Sequence, residues 1–276
     1  MTALGIVGCR IFEDEIVHIL VNDSAIEKIF IVENEENTGI QKKLEAVKLA
    51  PRVLPFYEIR SELEKSRGFN VVIQLQSMGL HINPVRLKKA TCTSVGLMSR
   101  LVDGVLLFYG LCGHSINFEK NYFGSEKCPV CFLQEVNKDN STSPLDDCVA
   151  VALGGNSRYR KLLKNYRHTF FFTPMWAANW EGVFGETEKE FKNFEFTSSY
   201  LKELGYRRVA KIRTGLSYEP DFDTNVEKFA HDFGFEVMEL EGSMEIVESS
   251  YFRMRNLLPR NIRALPKTHI SECGIY

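Results

Sequence analysis

Three cysteines stand at positions where metal-binding or catalytic thiols are often found. Cys9 closes a predicted strand in "ALGIVGC", Cys112 follows another in "LLFYGLCG", and Cys148 begins a later element in "DDCVAVALGG". In an open parallel sheet, ligands collect at the carboxyl ends of the strands, so these thiols could meet at one edge. Thiolates favour zinc or an iron–sulfur cluster, and an open coordination position would make such a site catalytic. Taken singly, each thiol has a simpler interpretation as a buried space-filling residue.

Other side chains near the same predicted edge could complete the site. His81, in "GLHINPVRL", would serve as a fourth ligand or an acid–base group, or hydrogen-bond to backbone as an ordinary loop histidine. Asp147 would orient the ligands or transfer protons, or simply cap a helix. Trp176 would wall a small-molecule or cofactor pocket. Arg158 and Tyr159 would contact an anionic substrate.

A second set of ligand-type residues lies in the polar stretch 113–145, which predicts an insertion or lid. Its "CPVC" motif places Cys128 and Cys131 where both sulfurs could reach one zinc ion, with Cys112 and His114 completing a set of four. A reducible pair is the competing interpretation, although no thioredoxin-type context surrounds the motif. Whether Cys112 belongs to the edge site or to this zinc knuckle is left open.

The elements that must position these residues alternate along the chain. Apolar runs that read as strands are separated by stretches of helical periodicity from residue 1 to residue 276. This pattern predicts an α/β fold: a Rossmann-like, mainly parallel sheet with helices on both faces, in one domain or two pseudo-lobes. Asn83 and Pro84 are predicted to begin one of the helices. The strand order is not determined by the pattern.

Composition narrows the class of protein. A formal charge of -2 and a pI near 6.3 predict no nucleic-acid partner. No apolar run reaches the roughly 18 residues of a membrane span. Seven cysteines without a visible signal peptide predict a reducing compartment, the cytoplasm. Dinucleotide-binding, serine-hydrolase and zincin motifs do not occur.

Several segments occur in the order and approximate spacing of a known family. They are "GIVGCRIFEDEI", "GLHINPVRL", "LLFYGLCG", "DDCVAVALGGNSRY", "TFFFTPMW" and "KIRTGL". Over roughly residues 3 to 245 the chain resembles the family labelled domain of unknown function 1638, of methanogenic archaea and anaerobic bacteria. The resemblance implies a Rossmann-like domain and a site at Cys9, Cys112, Cys148 and His81. It also implies a link to corrinoid-dependent methyl transfer, since genes of the family often lie near genes for that chemistry.

The chain departs from the family pattern at two of these motifs. Asp146 stands where the family usually has the histidine of His-Asp-Cys, and Met175 stands where it usually has the glycine of Thr-Pro-Gly-Trp. The "CPVC" stretch looks like an addition. A divergent member is therefore expected, whose substrate differs from that of other members.

Three functions follow as hypotheses. The first is a metalloenzyme using zinc or an iron–sulfur cluster on a small molecule, in thiol, methyl-transfer or one-carbon chemistry. The second is a non-catalytic metal or cofactor carrier, or an assembly partner of a corrinoid methyltransferase protein. The third is a metal-free enzyme with Cys112 or Cys148 as nucleophile, activated by His81.

Overall fold

A six-stranded parallel sheet forms the first half of the molecule. The computed structural model describes residues 1–112, 128–191 and 194–259, without the side chains of 184–197. The strands are β1 (Thr2–Cys9), β2 (Ile26–Val32), β3 (Arg52–Leu54), β4 (Phe69–Gln76), β5 (Gly104–Phe108) and β6 (Val130–Phe132). Their order is β3-β2-β4-β1-β5-β6, and each pairing is parallel. The predicted α/β class with a mainly parallel sheet is confirmed.

Helices cover both faces of this sheet because the chain reverses direction after β3. The helices are α1 (Glu13–Asn22), α2 (Thr38–Ala46), α3 (Phe56–Glu64) and α4 (Pro84–Met98). Right-handed crossovers place helices on opposite faces when the chain moves in opposite directions across a sheet. Accordingly, Ile16 and Leu44 from α1 and α2 belong to one core, whereas Ile59 and Val95 from α3 and α4 belong to the other.

The start of α4 is as predicted. Pro84 is the first residue of the helix, and the Asn83 side chain accepts a hydrogen bond from the backbone N–H of Arg86 at 3.1 Å. Proline loses nothing there because the first helical N–H groups have no partner within the helix. A short 3₁₀ helix, Met78–Ile82, precedes it and carries His81. The cap therefore fixes the direction in which the chain leaves the carboxyl end of β4.

The predicted insertion 113–145 is partly regular structure. Its second half contains β6, the edge strand of the main sheet, followed by an antiparallel hairpin of β7 (Gln134–Val136) and β8 (Thr142–Pro144). These strands have three residues each, which is too short for a periodic pattern to reveal. Residues 113–127, including His114, lie outside the described residues.

A second, three-stranded parallel sheet follows, in the order β11-β10-β9. The remaining elements are α5 (Cys148–Ala152), α6 (Asn156–Asn165), β9 (Thr169–Phe172), α7 (Pro174–Phe191), α8 (Phe194–Glu203), β10 (Arg208–Arg213), α9 (Phe222–Phe233), β11 (Glu236–Glu241) and α10 (Glu245–Leu257). Aromatic rings fill the core that packs against this second sheet. The ring centroid of Phe229 lies 4.6 Å from that of Phe172 and 5.2 Å from that of Trp180.

The last helix returns to the first sheet. Tyr251 of α10 is fully buried, and its hydroxyl donates to Asp23 Oδ2 at 2.8 Å. Met254, also buried, belongs to the same core as α1. In the described ranges, no helix is both long and apolar enough to span a bilayer.

Candidate functional site

A cavity of about 110 Å³ lies at the carboxyl ends of β1, β4 and β5. It is lined by residues from five separate parts of the chain: Cys9, Ile11, Ser77, Met78, His81, Leu87, Tyr109, Cys112, Asp147, Cys148 and Trp176. The predicted edge residues Cys9, His81, Cys112, Asp147, Cys148 and Trp176 are therefore brought together around one space. This is the edge at which ligands collect in parallel sheets.

Two of the thiols are in contact. Cys112 Sγ and Cys148 Sγ are 3.6 Å apart, and the backbone N–H of Gly110 points to Cys148 Sγ at 3.5 Å. Cys112 has a φ of 44°, in the left-handed region that non-glycine residues seldom adopt. Leu111 N–H bonds to the Leu145 carbonyl at 2.8 Å, which holds the turn after β5 against the chain entering α5. The sharp turn thus aims Cys112 at Cys148.

Gly110 permits this close approach. A Cβ at position 110 would lie 2.7 Å from the Asp147 carbonyl oxygen and 2.8 Å from its Cα. Gly110→Ala is therefore expected to lower the free energy of unfolding by about 1–3 kcal/mol, since backbone must shift to make room. Urea unfolding measures the change. Gly96→Ala is the matched control, because a Cβ at Gly96 meets nothing within 4 Å. Equal stability of the two variants would contradict the tight contact.

Cys9 and Cys148 are protonated near neutral pH in the absence of a cation. Burial raises the pKa of Cys9 to about 12, and the charge of Cys112 adds to the rise. The hydrogen bond to Cys112, together with burial, raises the pKa of Cys148 well above its ordinary value. A thiolate in this cavity therefore needs a positive partner.

Tyr109 is a site residue that sequence reasoning missed. It is 2% exposed and lines the cavity directly after β5. Burial is the largest cause of the raised pKa of Tyr109, and the charges of Cys9, Cys148 and Cys112 raise it further, in decreasing order. The phenol therefore lies near all three thiols. The signal available was a hydroxyl-bearing aromatic at the end of the apolar run "LLFYG".

A buried polar network holds the Tyr109 ring in place. Its hydroxyl donates to Gln76 Oε1 at 2.7 Å, and Thr91 Oγ1 donates to the same oxygen at 3.2 Å. Gln76 Nε2 in turn donates to Ser94 Oγ at 2.8 Å. Because both ends of the Gln76 amide are bonded, this polar group is buried at the end of β4 without leaving its amide unpaired.

His81 presents one nitrogen for chemistry. Its Nδ1 hydrogen-bonds to the Met78 carbonyl, which can only accept, so Nδ1 carries the hydrogen and Nε2 the lone pair of the neutral ring. The ring packs edge-on against Trp176 with centroids 5.4 Å apart. Nε2 is thus suited to bind a cation or accept a proton.

Asp147 has two roles. Its Oδ1 accepts a hydrogen bond from Val149 N–H at 2.8 Å and so caps α5, as one of the two sequence interpretations proposed. Its side chain also lines the cavity. Burial raises its pKa, partly offset by the Val149 N–H and then by the charge of His81.

Arg158 and Tyr159 do not line the cavity. The Arg158 guanidinium donates to the Glu241 carbonyl at 2.6 Å, and Tyr159 packs against Phe171 with ring centroids 6.4 Å apart. Burial is the largest cause of the raised pKa of Tyr159, and the charges of Asp147 and Asp146 raise it further. Tyr159 therefore lies near the site although it does not line the cavity. The described residues that line the cavity include no lysine or arginine. The expected contact of Arg158 with an anion in this cavity is therefore not supported.

The zinc knuckle expected from "CPVC" is not formed by the thiols that the structure describes. Cys128 packs with Val105 and Leu107 in one core, whereas Cys131, in β6, packs against the core on the other face of the sheet. Cys128 precedes β6 and lies near Asp103, whose charge adds to burial in raising the Cys128 pKa to about 11. Cys112 lies just after the other end of β5, a strand of five residues that is about 16 Å long. Cys128 and Cys112 therefore lie at opposite ends of this strand.

The spacing of the edge thiols partly matches a metal site. Within the described ranges, no group of three or more His, Cys, Asp or Glu side chains has the geometry to hold a metal ion. Two thiolates bound to tetrahedral zinc at about 2.3 Å would have their sulfurs about 3.8 Å apart. Cys112 and Cys148 nearly meet that spacing at 3.6 Å. Cys9 or His81 would have to move toward them.

A buried charged cluster surrounds Lys43. Lys43 Nζ lies 2.6 Å from Asp14 Oδ1, 3.2 Å from Glu219 Oε2 and 3.4 Å from Glu13 Oε2. Burial lowers the pKa of Lys43, but Asp14 and Glu13 outweigh it and hold that pKa above its ordinary value. Burial, with the charge of Asp14, raises the pKa of Glu15 to about 8. Sequence analysis missed this cluster, which joins α1 and α2 to the chain before α9.

Comparison with known proteins gives a family and no activity. A family model described as "Protein of unknown function (DUF1638)" matches residues 75–251, well over half of the chain. That segment includes His81, Cys112, Asp147, Cys148 and Trp176, while Cys9 precedes it. No curated protein and no solved structure gave a match. The chain belongs to the DUF1638 family.

Proposed function

We propose that this chain is a metal-dependent enzyme that acts on a small molecule, with zinc or an iron–sulfur cluster held by Cys9, Cys112 and Cys148. The observation that carries the proposal is that these thiols, distant in sequence, line one cavity. Two of them already have sulfurs 3.6 Å apart. A cytoplasmic location, where thiols stay reduced, is part of the proposal.

The donor set suits a soft divalent metal. Thiolate and imidazole nitrogen are the ligands of zinc and of iron–sulfur clusters. Metal binding exchanges thiol protons for a cation, which removes the electrostatic cost of burying thiolates. His81, with Nε2 carrying the lone pair, is the proposed fourth ligand or proton-transfer group.

The free space beside the thiols favours an enzyme over a carrier. A carrier or structural site has saturated ligands, whereas a catalytic site keeps a position for water or substrate. Ile11, Met78, Leu87 and Trp176 surround the remaining space with apolar surface. Such a wall excludes water and accepts a short hydrocarbon group.

The proposed reaction is transfer of a methyl or similar one-carbon group from the cobalt of a corrinoid protein to a thiol. The carbon–sulfur bond would form as the carbon–cobalt bond breaks, and the bonding electron pair would stay on cobalt. A bound zinc ion supplies positive charge that lowers the pKa of a substrate thiol. His81 Nε2 would accept the thiol proton, and Asp147 would stabilise the resulting imidazolium. Tyr109, fixed by Gln76, would orient the sulfur atoms of the site.

The metal-free nucleophile hypothesis has less support for Cys148, one of its two candidate nucleophiles. A nucleophilic cysteine needs a lowered pKa so that the thiolate is present at neutral pH. The pKa values of Cys9 and Cys148 are raised instead. These two thiols are therefore suited to bind a cation, which would lower their pKa on binding.

Metal analysis tests the proposal. Protein purified without oxygen is expected to contain close to one equivalent of zinc, or iron and sulfide with a brown colour. The Cys128→Ala/Cys131→Ala double variant is the control and should keep its metal, because those two thiols do not line the cavity. Protein without metal after reconstitution, or metal lost only from the double variant, would refute the proposed site.

A further inference from the structure

A second pocket, of about 200 Å³, adjoins the thiol cavity. Ser77 and Met78 line both spaces. Helix α7 borders both as well, with Trp176 on the cavity and Asn179 and Val183 on the pocket. These three positions fall on one helical face, so the two spaces lie side by side along α7.

Among the described residues that line it, the pocket has one positive and one negative side chain, Arg10 and Glu36. Arg10 Nε donates to Glu13 Oε1 at 2.8 Å, and Arg10 Nη1 donates to Glu36 Oε2 at 3.3 Å. Glu13 is fully buried, whereas the Arg10 and Glu36 side chains are 24% and 25% exposed. Glu13 therefore anchors the guanidinium by Nε, while the terminal nitrogen Nη1 faces Glu36 in the longer of the two contacts.

The charge balance selects among ligand classes. A lone carboxylate or a phosphate would meet Arg10 but also the carboxylate of Glu36, and Glu13 already compensates the guanidinium. A zwitterion avoids this conflict, because its carboxylate can pair with Arg10 while its ammonium pairs with Glu36. The long Arg10–Glu36 contact would be replaced by two ion pairs, and terminal guanidinium nitrogens bind carboxylates as a fork.

The pocket also has room for this exchange. A Cβ placed on Gly182 would meet nothing within 4 Å, so the α7 wall is recessed at that point. Met78 and Ser77 border the passage to the thiols, and Met78 gives it an apolar side suited to a short methylene chain.

We propose that this second pocket binds the amino and carboxylate groups of an α-amino acid whose side-chain thiol enters the thiol cavity. Arg10 holds the carboxylate, Glu36 holds the ammonium, and the thiol reaches Cys9, Cys112 and Cys148. The thiol end of this assignment rests on the proposed metal function. The amino-acid end rests on Arg10 and Glu36 alone.

Calorimetric titration of zinc-loaded protein tests the assignment with matched probes. L-Homocysteine and L-cysteine carry both charges, 3-mercaptopropionate lacks the ammonium, and cysteamine lacks the carboxylate. Each probe lacking one charge is expected to bind at least tenfold more weakly than L-homocysteine. Zinc content is measured after each titration to show that the thiol has not extracted the metal. Equal affinity for all four probes would overturn the assignment.

Variants assign each charge to its residue. Glu36→Gln should remove the preference for L-homocysteine over 3-mercaptopropionate, and Arg10→Lys should weaken binding of L-homocysteine at least fivefold. Arg158→Gln is the control and should change neither affinity. Unchanged selectivity in Glu36→Gln, a substitution that keeps the size of the side chain, would refute the role of Glu36.

A probe without sulfur separates this inference from the metal proposal. L-2-Aminobutyrate can bind only through its amino-acid end. Weak binding that is lost in Glu36→Gln would support the pocket even if the protein proved to hold no metal. Metal binding without any selectivity for amino acids would leave the proposed function standing and refute the pocket.

Discussion

Cys148→Ala is expected to lower the affinity for zinc more than a hundredfold at pH 7. A zinc site with four ligands contributes about 10–16 kcal/mol, so losing one thiolate should cost about 3 kcal/mol. Cys148 has its sulfur 3.6 Å from that of Cys112 and its backbone neighbours fixed by α5, which makes it the central ligand of the proposed set. Competition with a chromophoric chelator, without oxygen, measures the affinity.

The pH dependence of this affinity adds a second readout. Because the pKa values of Cys9 and Cys148 lie above neutral, both thiols must release a proton when zinc binds. Affinity should therefore rise with pH between 6 and 8, and less steeply in Cys148→Ala, which releases one proton fewer. Cys131→Ala, a partly buried thiol away from the cavity, is the control. The same affinity and the same slope in Cys148→Ala and wild type would exclude Cys148 as a ligand.

Lys43→Met is expected to lower the free energy of unfolding by about 3–5 kcal/mol, because it leaves Asp14, Glu13 and Glu219 without their shared cation. The lysine side chain is only 9% exposed, so solvent screens these charges little. Since whole domains have about 5–15 kcal/mol of stability, the loss is large. Urea unfolding at pH 7 measures it.

Acidification should partly restore this variant. Burial raises the pKa values of Glu13 and Asp14, so lowering the pH toward 5 neutralises these unpaired carboxylates in the folded state before the unfolded chain takes up protons. Lys65→Met is the control, because Lys65 pairs with Glu62 at 2.7 Å but is 65% exposed, and such pairs add little stability. If both variants lost the same small amount, the buried cluster would not be an important stabilising feature.

Local signals explain which elements could be predicted. β1 and β5 are continuous apolar runs because β1 pairs on both edges and both strands are covered on both faces. The start of α4 carries its own cap in Asn83 and Pro84. By contrast, β3 and β6 have three residues each, and their pairing with β2 and β5 depends on neighbours that a short pattern does not indicate.

The same distinction holds for the site. The positions of Cys9, Cys112 and His81 after predicted strands were enough to predict a shared edge, because parallel strands end at the same side of their sheet. Other relations follow from the three-dimensional packing. It separated Cys128 from Cys131 on opposite faces of the sheet, placed Tyr109 among the thiols and brought Glu219 to Lys43. These contacts involve residues that are far apart in the chain or that lie in irregular segments. They depend on side-chain packing, which the periodicity of the sequence does not encode.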